Sequence, residues 1–414
     1  MTDRLPGFST LSIHAGAQPD PTTGARSTPI YQTTSFVFND ADHAASLFGL
    51  QAFGNIYTRL GNPTNAVLEE RVAALEGGTA ALTVASGHAA QVVTFHALLQ
   101  PGDEFIAARR LYGGSINQFN HSFKAFGRNV VWADTDDVAS FERALAPKTK
   151  AITDTEAIAA IARKAGVPLI VDNTLASPYL VKPIDHGADI VLHSLTKFLG
   201  GHGNSIGGII VDAGTFDWSK SGKYPVLSEP RPEYHGIKLH ETFGNFAFAI
   251  AARVIGLRDL GPALSPFNAF MILTGIETLA LRVQRHSDNA KAVAEWLSAN
   301  PAVAWVSYAG LPGDRYHNLA RKYAPKGAGA VFTFGLKGGY DAGVSLVSNV
   351  KLFSHLANVG DTRSLIIHPA STTHSQLSDE QKALAGAGVD VVRLSVGLED
   401  KEDIIADLDQ ALKA

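Results

Sequence analysis

The sequence predicts an α/β protein: a mostly parallel sheet with helices on both faces, preceded by an arm and followed by a smaller α+β domain. Three observations carry this. Between residues 81 and 211, short apolar runs alternate with helix-period stretches, the pattern of consecutive βαβ units. The chain has 414 residues, more than one hydrophobic core fills, so two domains and an arm are expected. The opening 60 residues are rich in Pro, Thr and Gly and show no sustained helical period.

The elements follow in order. Residues 1–60 read as the arm, with one strand-like patch at Ser35–Phe38. A segment of this kind rarely folds alone, so it is expected to pack on a neighbouring subunit. Thr64 then offers an N-cap for a helix ending at Gly77-Gly78, with Val67, Leu68, Val72 and Leu75 on one face. Strands are expected at 81–85, 104–108, 129–133, 168–172, 189–194 and 207–211, with helices at 87–99, 114–126 and 154–165 between them. The large domain so defined spans 61–261. From 262 to 414 the pattern changes: one long helical stretch runs from Phe270 to Leu297, strands fall at 330–336 and 391–396, and a charged helix follows Glu399.

Bulk composition narrows the function. A content of 45% hydrophobic and 18% charged residues is that of an ordinary globular protein. A net charge of −4 and a pI near 6.4 argue against nucleic-acid or anionic-membrane partners. With no cysteine, disulfides, thiolate nucleophiles and Cys-based metal sites are excluded. The N-terminus lacks the charged and apolar regions of a signal peptide, and the apolar stretch Phe243–Leu257 is interrupted by Asn245 and Arg253. A cytoplasmic enzyme without a metal is the expectation.

The most informative run is His193-Ser194-Leu195-Thr196-Lys197-Phe198-Leu199-Gly200-Gly201-His202. A lysine after a strand, between hydroxyls and glycines, suits imine formation with an aldehyde cofactor, provided its amine loses the proton held at the ordinary pKa of about 10.4. In an open parallel sheet, ligands bind outside the carboxyl ends of the strands. Two further segments place polar groups there. Thr83-Val84-Ala85-Ser86-Gly87-His88 turns from strand to helix and offers helix-start amides to a phosphate, although Ser86 alone equally fits a simple N-cap. Leu169-Ile170-Val171-Asp172-Asn173-Thr174 ends an apolar run in an acid, which is costly to bury unpaired; a pyridinium N–H would pair it, and capping of the next turn is the plain alternative.

Competing motifs are weaker. Ser194-Leu195-Thr196-Lys197 matches S-x-x-K, Ser287-Asp288-Asn289 matches S-D-N, and Lys220-Ser221-Gly222 approximates K-T-G, but the order is wrong for a penicillin-interactive enzyme and the S-D-N lies in a helix-period run. Gly200-Gly201-His202-Gly203-Asn204 opens no helix and contains no dinucleotide fingerprint. The 15 histidines are scattered.

Taken with Leu111-Tyr112-Gly113-Gly114, Thr10–Gly16, Tyr57-Thr58-Arg59 and Val392-Arg393-Leu394-Ser395-Val396-Gly397, these segments resemble the Cys/Met-metabolism group of pyridoxal-phosphate enzymes of fold type I. The likeness extends over nearly the whole chain. The segments Glu229–Gly236 and Pro266–His286 favour the O-acetylhomoserine sulfhydrylase branch. The resemblance implies a seven-stranded sheet and pyridoxal 5'-phosphate on Lys197, which then moves protons at Cα and Cβ. It implies Asp172 on the pyridine nitrogen, Tyr112 stacked on the ring and assisting leaving-group departure, and Ser86, Gly87 and His88 around the phosphate with Ser194 and Thr196. Tyr57 and Arg59 would reach a neighbouring subunit's phosphate in a homotetramer built as a dimer of dimers. Arg393 would bind the substrate α-carboxylate in a fork. The implied reaction is γ-replacement on O-acetyl-L-homoserine by sulfide or a thiol such as methanethiol, giving homocysteine or methionine and acetate. The alternatives are a carbon–sulfur lyase of the methionine γ-lyase or cystathionine type, against which Gly114 speaks where methionine-degrading members tend to carry Cys, and an O-succinylhomoserine sulfhydrylase.

One departure stands out. After Lys150-Ala151-Ile152 the family pattern continues through a Glu and an Asn-Pro pair, the Asn touching the cofactor's phenolic oxygen; here Thr153-Asp154-Thr155-Glu156-Ala157 follows at once. A strand is usually about 5–6 residues long. A true deletion would cripple the sheet beside Asp172 and leave a catalytically silent scaffold, so the expectation is a break in the chain between Ile152 and Thr153.

Overall fold

The computed structural model describes residues 5–153, 156–376 and 378–414, which divide into two compact units. The first comprises residues up to 174 with 182–196 and 205–277; the second comprises 175–181, 197–204 and 278–414.

The first unit is built on a seven-stranded sheet in the order β1-β7-β6-β5-β4-β2-β3. The strands are β1 (Ala80–Val84), β2 (Glu104–Ala108), β3 (Asn129–Ala133), β4 (Thr149–Thr153), β5 (Leu169–Asp172), β6 (Ile190–Ser194) and β7 (Gly208–Asp212). Only β7 runs against its neighbours, pairing β1 and β6 antiparallel. The remaining pairs are parallel. One edge of the sheet therefore collects the carboxyl ends of β1 to β6 and the start of β7.

The helices of this unit have local causes. Two short ones, α1 (Phe8–His14) and α2 (Ala41–Phe48), lie in the arm, where no helix was expected. Asp40 starts α2 by accepting from the His43 amide at 2.7 Å, and α1 packs on α3 (Pro63–Glu76) of its own chain. The cap of α3 is Asn62 rather than Thr64: with Pro63 in the first turn the helix begins two residues earlier, and Asn62 Oδ1 accepts from the Thr64 amide at 2.9 Å. Gly77, at φ 82°, ends it in the left-handed conformation that glycine adopts without strain. Then come α4 (Gly87–Leu98), α5 (Gly113–Asn117), α6 (Val138–Arg143) and α7 (Glu156–Ala165). The expected helix at 114–126 passes from α5 into a π-helical turn, Gln118–Phe123. That turn points Phe119 and Phe123 at Phe95 of α4 and Phe105 of β2, ring centroids 4.3–5.7 Å apart, an aromatic knot in the apolar core.

The expected break at Ile152 is absent. Ile152 and Thr153 are successive residues of β4, opposite Leu169 and Ile170 of β5. At the carboxyl end of β5, Val171 and Asp172 stand opposite Val191 and Leu192 of β6. The departure from the family pattern is thus not an interrupted chain, and β4 pairs with both β2 and β5, so the sheet is kept.

The second unit has a five-stranded sheet in the order β10-β11-β12-β9-β8: β8 (Val303–Ser307), β9 (Val331–Leu336), β10 (Ser354–His355), β11 (Leu365–Ile367) and β12 (Val391–Ser395). All its pairs except β10 with β11 are antiparallel. The helix Gly339–Asn349 packs on β9 and β12, and the helices Leu279–Ala299 and Lys401–Leu412 pack on each other. The helical stretch expected from Phe270 to Leu297 is two helices. Pro266–Glu277 closes the first unit, and Thr278, outside the helical range at φ −106° and ψ 13°, separates it from Leu279–Ala299.

Candidate active site

The carboxyl-end edge of the first unit's sheet brings together most of the sequence-predicted residues. Ser86 caps α4, its hydroxyl accepting from the Ala89 amide at 3.1 Å. No described residue accepts from the amides of Gly87 and His88, which begin the helix. These are the donors a phosphate uses at a helix start. The turn carrying them is packed to the limit. A Cβ on Gly87 would lie 2.9 Å from Ser194 Cβ, and one on Gly208 would lie 2.0 Å from the Ser86 carbonyl oxygen. Glycine at both places lets strand ends and helix start close into a cradle lined by backbone.

Tyr112 precedes α5 and is 70% exposed, its ring meeting His88 edge to face at 5.7 Å. Gly114 lies beneath that ring: a Cβ there would sit 2.4 Å from Tyr112 Cε1 and 2.9 Å from His88 Cε1. Asp172 ends β5 and is exposed, so the burial cost raised at the sequence level does not arise. The capping alternative is what the contacts show. Its Oδ1 accepts from the Thr174 amide at 3.1 Å and hydroxyl at 2.5 Å, while the carboxylate stays open to a cationic partner. Thr174, missed at the sequence level, also accepts from the Ser194 amide at 2.8 Å and so ties the ends of β5 and β6 together. Thr196 Oγ accepts from the Gly207 amide at 3.1 Å.

Beneath this edge lies a second cluster the sequence did not mark. Glu76, the last residue of α3, accepts on one oxygen from His193 Nε2 at 2.6 Å and from Asn173 Nδ2 at 2.8 Å. Glu76 and His193 are fully buried. Asn173 and His193 are the chain neighbours of Asp172 and Ser194, so the brace sets the two strand ends that carry polar groups.

The second unit carries Lys197 and Arg393. Lys197 follows Thr196 directly and opens a turn whose next residues, Phe198 and Leu199, are buried. Its amine donates to Asn358 Oδ1 at 2.5 Å. Burial, and then the positive charge of Arg393, lower the amine's pKa below the usual lysine value. Both causes favour the neutral, nucleophilic form. Arg393, on β12 opposite Thr333 and Ile367, donates to the Asn358 carbonyl at 3.4 Å. Asn358 is 161 positions from Lys197 and sits in no motif, so sequence reading had no signal for it.

Tyr57 and Arg59 are placed elsewhere in the first unit. The Arg59 guanidinium lies over the Tyr57 ring at 5.6 Å and donates to the Arg258 carbonyl. Both line a cavity of about 580 Å³ with Phe36, Phe48 and Arg258, apart from the strand-end cluster. Ser287 and Asn289 are buried in the helix Leu279–Ala299, where Asn289 donates to the carbonyls of Gly397 and Glu399, so the S-D-N has a structural use. Among the described residues no cluster of three or more His, Asp or Glu is placed to hold a metal, and no helix is long and apolar enough to cross a membrane.

A family model described as Cys/Met metabolism PLP-dependent enzyme matches residues 9–413. The chain belongs to this family. It is 52% identical to an O-acetyl-L-homoserine sulfhydrylase of Leptospira meyeri, over 98% of this chain and 96% of that one. It is 53% identical to O-acetyl-L-homoserine sulfhydrylase 1 of Thermus thermophilus, over 98% and 99%. Among solved structures, a candidate O-acetylhomoserine (thiol)-lyase of Campylobacter jejuni, containing pyridoxyl-lysine phosphate, superposes with a TM-score of 0.95 at 40% identity, covering 99% of this chain and all of that one. The family membership makes pyridoxal 5'-phosphate the cofactor. Each unit carries residues that fit it: the first a backbone cradle with free amides and an open carboxylate, the second a lysine amine biased toward neutrality.

Proposed function

We infer that this chain is a transferase that replaces the γ-acetoxy group of O-acetyl-L-homoserine with sulfide or a thiol, giving homocysteine or methionine and acetate. The observation that carries the chemistry is the Lys197 amine, whose pKa is lowered by burial and then by the charge of Arg393, and which donates to Asn358. The substrate is that of the full-length relatives named sulfhydrylases. When bound, the cofactor supplies an electron sink for charge developing at Cα and Cβ.

Each residue then has a task in this proposal. Lys197 holds the cofactor covalently and, released by substrate, moves protons at Cα and Cβ. Asp172 keeps the pyridine nitrogen protonated. Tyr112 covers the ring and aids departure of acetate. The amides of Gly87 and His88, with Ser86, Ser194 and Thr196, hold the phosphate. Arg393 takes the substrate carboxylate in a bidentate fork. With no cysteine in the chain, the sulfur nucleophile comes from solution. Tyr57 and Arg59 act on a neighbouring subunit's phosphate, in a cytoplasmic homotetramer assembled as a dimer of dimers, with the arm 1–60 at the contact.

The deciding assay compares two products. Homocysteine formed from O-acetylhomoserine and sulfide supports the proposal; α-keto acid released from methionine, without homocysteine formation, overturns it in favour of a lyase. Lys197→Ala is expected to abolish the cofactor's visible absorption band, and a band surviving on another lysine would refute the assignment of Lys197.

A further inference from the structure

The turn that presents Lys197 is gripped by one side chain that neither the motifs nor the reaction calls for. Arg282 rises from the first turn of the helix Leu279–Ala299 and is 6% exposed. Its Nη1 donates to the carbonyl of Phe198 at 2.9 Å and its Nη2 to the carbonyl of Leu199 at 3.2 Å, while Nε donates to Thr278 Oγ1 at 3.2 Å. One rigid planar fork thus spans the carbonyls of the two residues that follow the lysine. The surroundings are shaped to admit it. Gly201, at φ +75°, has its missing Cβ position 2.0 Å from Arg282 Nη1, so any side chain there would collide with the guanidinium. The Gly201 amide donates back to the Lys197 carbonyl at 2.7 Å, and its own carbonyl accepts from the Thr362 amide at 2.9 Å. From the other side, Gly360 brings its backbone against the Phe198 nitrogen, a Cβ there falling 2.7 Å away. One turn further along the helix, His286 meets the Phe198 ring edge to face at 5.3 Å.

Burying a guanidinium is expensive, and an apolar side chain of similar size stabilises a core as well or better. The Arg282 group bears that cost, since burial draws its pKa down to about 10. What a lysine or a methionine cannot supply is simultaneous donation to two successive carbonyls in a fixed plane. That geometry ties down the two residues after Lys197, whose amine donates to Asn358. We propose that Arg282 is a positioning residue for Lys197, holding the turn Lys197–Gly201 so that the amine stays aligned for bonding to the cofactor. This rests on the reading of Lys197 as the cofactor-bearing residue.

The test uses the full-length protein loaded with pyridoxal 5'-phosphate, in wild-type, Arg282→Met, Arg282→Lys and Arg282→Ala forms. The readouts are the pH midpoint of the cofactor's visible band and the rate of cofactor release on dilution, beside circular dichroism and the thermal midpoint. Folded R282M is expected to shift the band's midpoint and release cofactor roughly 10–100-fold faster, the scale set by an ångström of misplacement. R282K, which keeps the charge without the fork, is expected to follow R282M, and guanidinium added to R282A to restore the band and slow release. If R282M does not fold, R282K decides on the same readouts. Folded variants with wild-type midpoint and release rate, whatever their thermal stability, overturn the proposal, as does a R282K indistinguishable from wild type. A wild-type protein with no visible band would instead refute the cofactor assignment itself, before any variant is compared.

Discussion

Gly208→Ala tests the phosphate cradle most directly. Gly208 is the first residue of β7, opposite Val84 and Ser194, and has no left-handed backbone to complicate the result. Its added methyl would stand 2.0 Å from the Ser86 carbonyl oxygen, 2.3 Å from the Ser86 carbonyl carbon and 2.8 Å from the Gly87 nitrogen. The closest carbon–oxygen approach tolerated without cost is about 3.3 Å, so roughly 1.3 Å must be found by moving backbone. The strand is locked on both sides by β1 and β6, which leaves the turn into α4 as the part that gives way. That turn carries the Gly87 and His88 amides. Overpacking of this kind costs about 1–3 kcal/mol of stability. An anion site displaced by about 1 Å is expected to bind pyridoxal 5'-phosphate 10–100-fold more weakly. Titration of the apoprotein with the cofactor, followed by absorbance, measures the second effect and thermal melting the first. Gly7→Ala, whose Cβ would meet nothing within 4 Å, is the control. A G208A protein with wild-type cofactor affinity and wild-type melting temperature would refute the claim that this close approach builds the cradle.

Two further outcomes are expected. Asp212 is buried and its carboxyl is pushed up to about 7 by desolvation, with the charge of Asp189, itself raised to about 6 by burial, acting in the same direction. The folded chain therefore holds protons that the unfolded chain has released, and stability is lost as pH climbs from about 4 toward about 7. Asp212→Asn is expected to raise the melting temperature more at pH 8 than at pH 5; an equal effect at both would count against a titrating Asp212. Gly114→Cys places a side chain in the space under the exposed Tyr112 ring, with Tyr112 Cε1 2.4 Å from the new Cβ. The ring is expected to swing away, lowering kcat for the replacement reaction about tenfold with little change in melting temperature, since only the far end of a mobile side chain must move; unchanged kcat would show that the ring's position does not limit the chemistry.

Much of this was legible along the chain. Periodicity located six of the seven strands of the first sheet to within a residue or so, because each is a short apolar run closed by a turn residue, while β4 was not among the expected strands. Asp172, Ser194 and Lys197 stood out because polar groups at the ends of apolar runs need a reason to be there. Local capping was less legible. Thr64 and Asn62 are both good caps, and only the geometry of Pro63 decides between them. The helix break at Thr278 was invisible because both flanking segments keep a helical period. The sequence by itself determined the fold class through periodicity and the cofactor through likeness to a known family, and it singled out the residues proposed to act, since all of these rest on runs of neighbouring residues. Only the tertiary structure decided what conditions them. Asn358 receives the Lys197 amine and Arg282 grips the lysine's turn, while Glu76 braces the ends of β5 and β6. These partners lie between 83 and 161 positions from the residues they hold, and a hydrogen bond between groups so separated leaves no periodic trace in the chain.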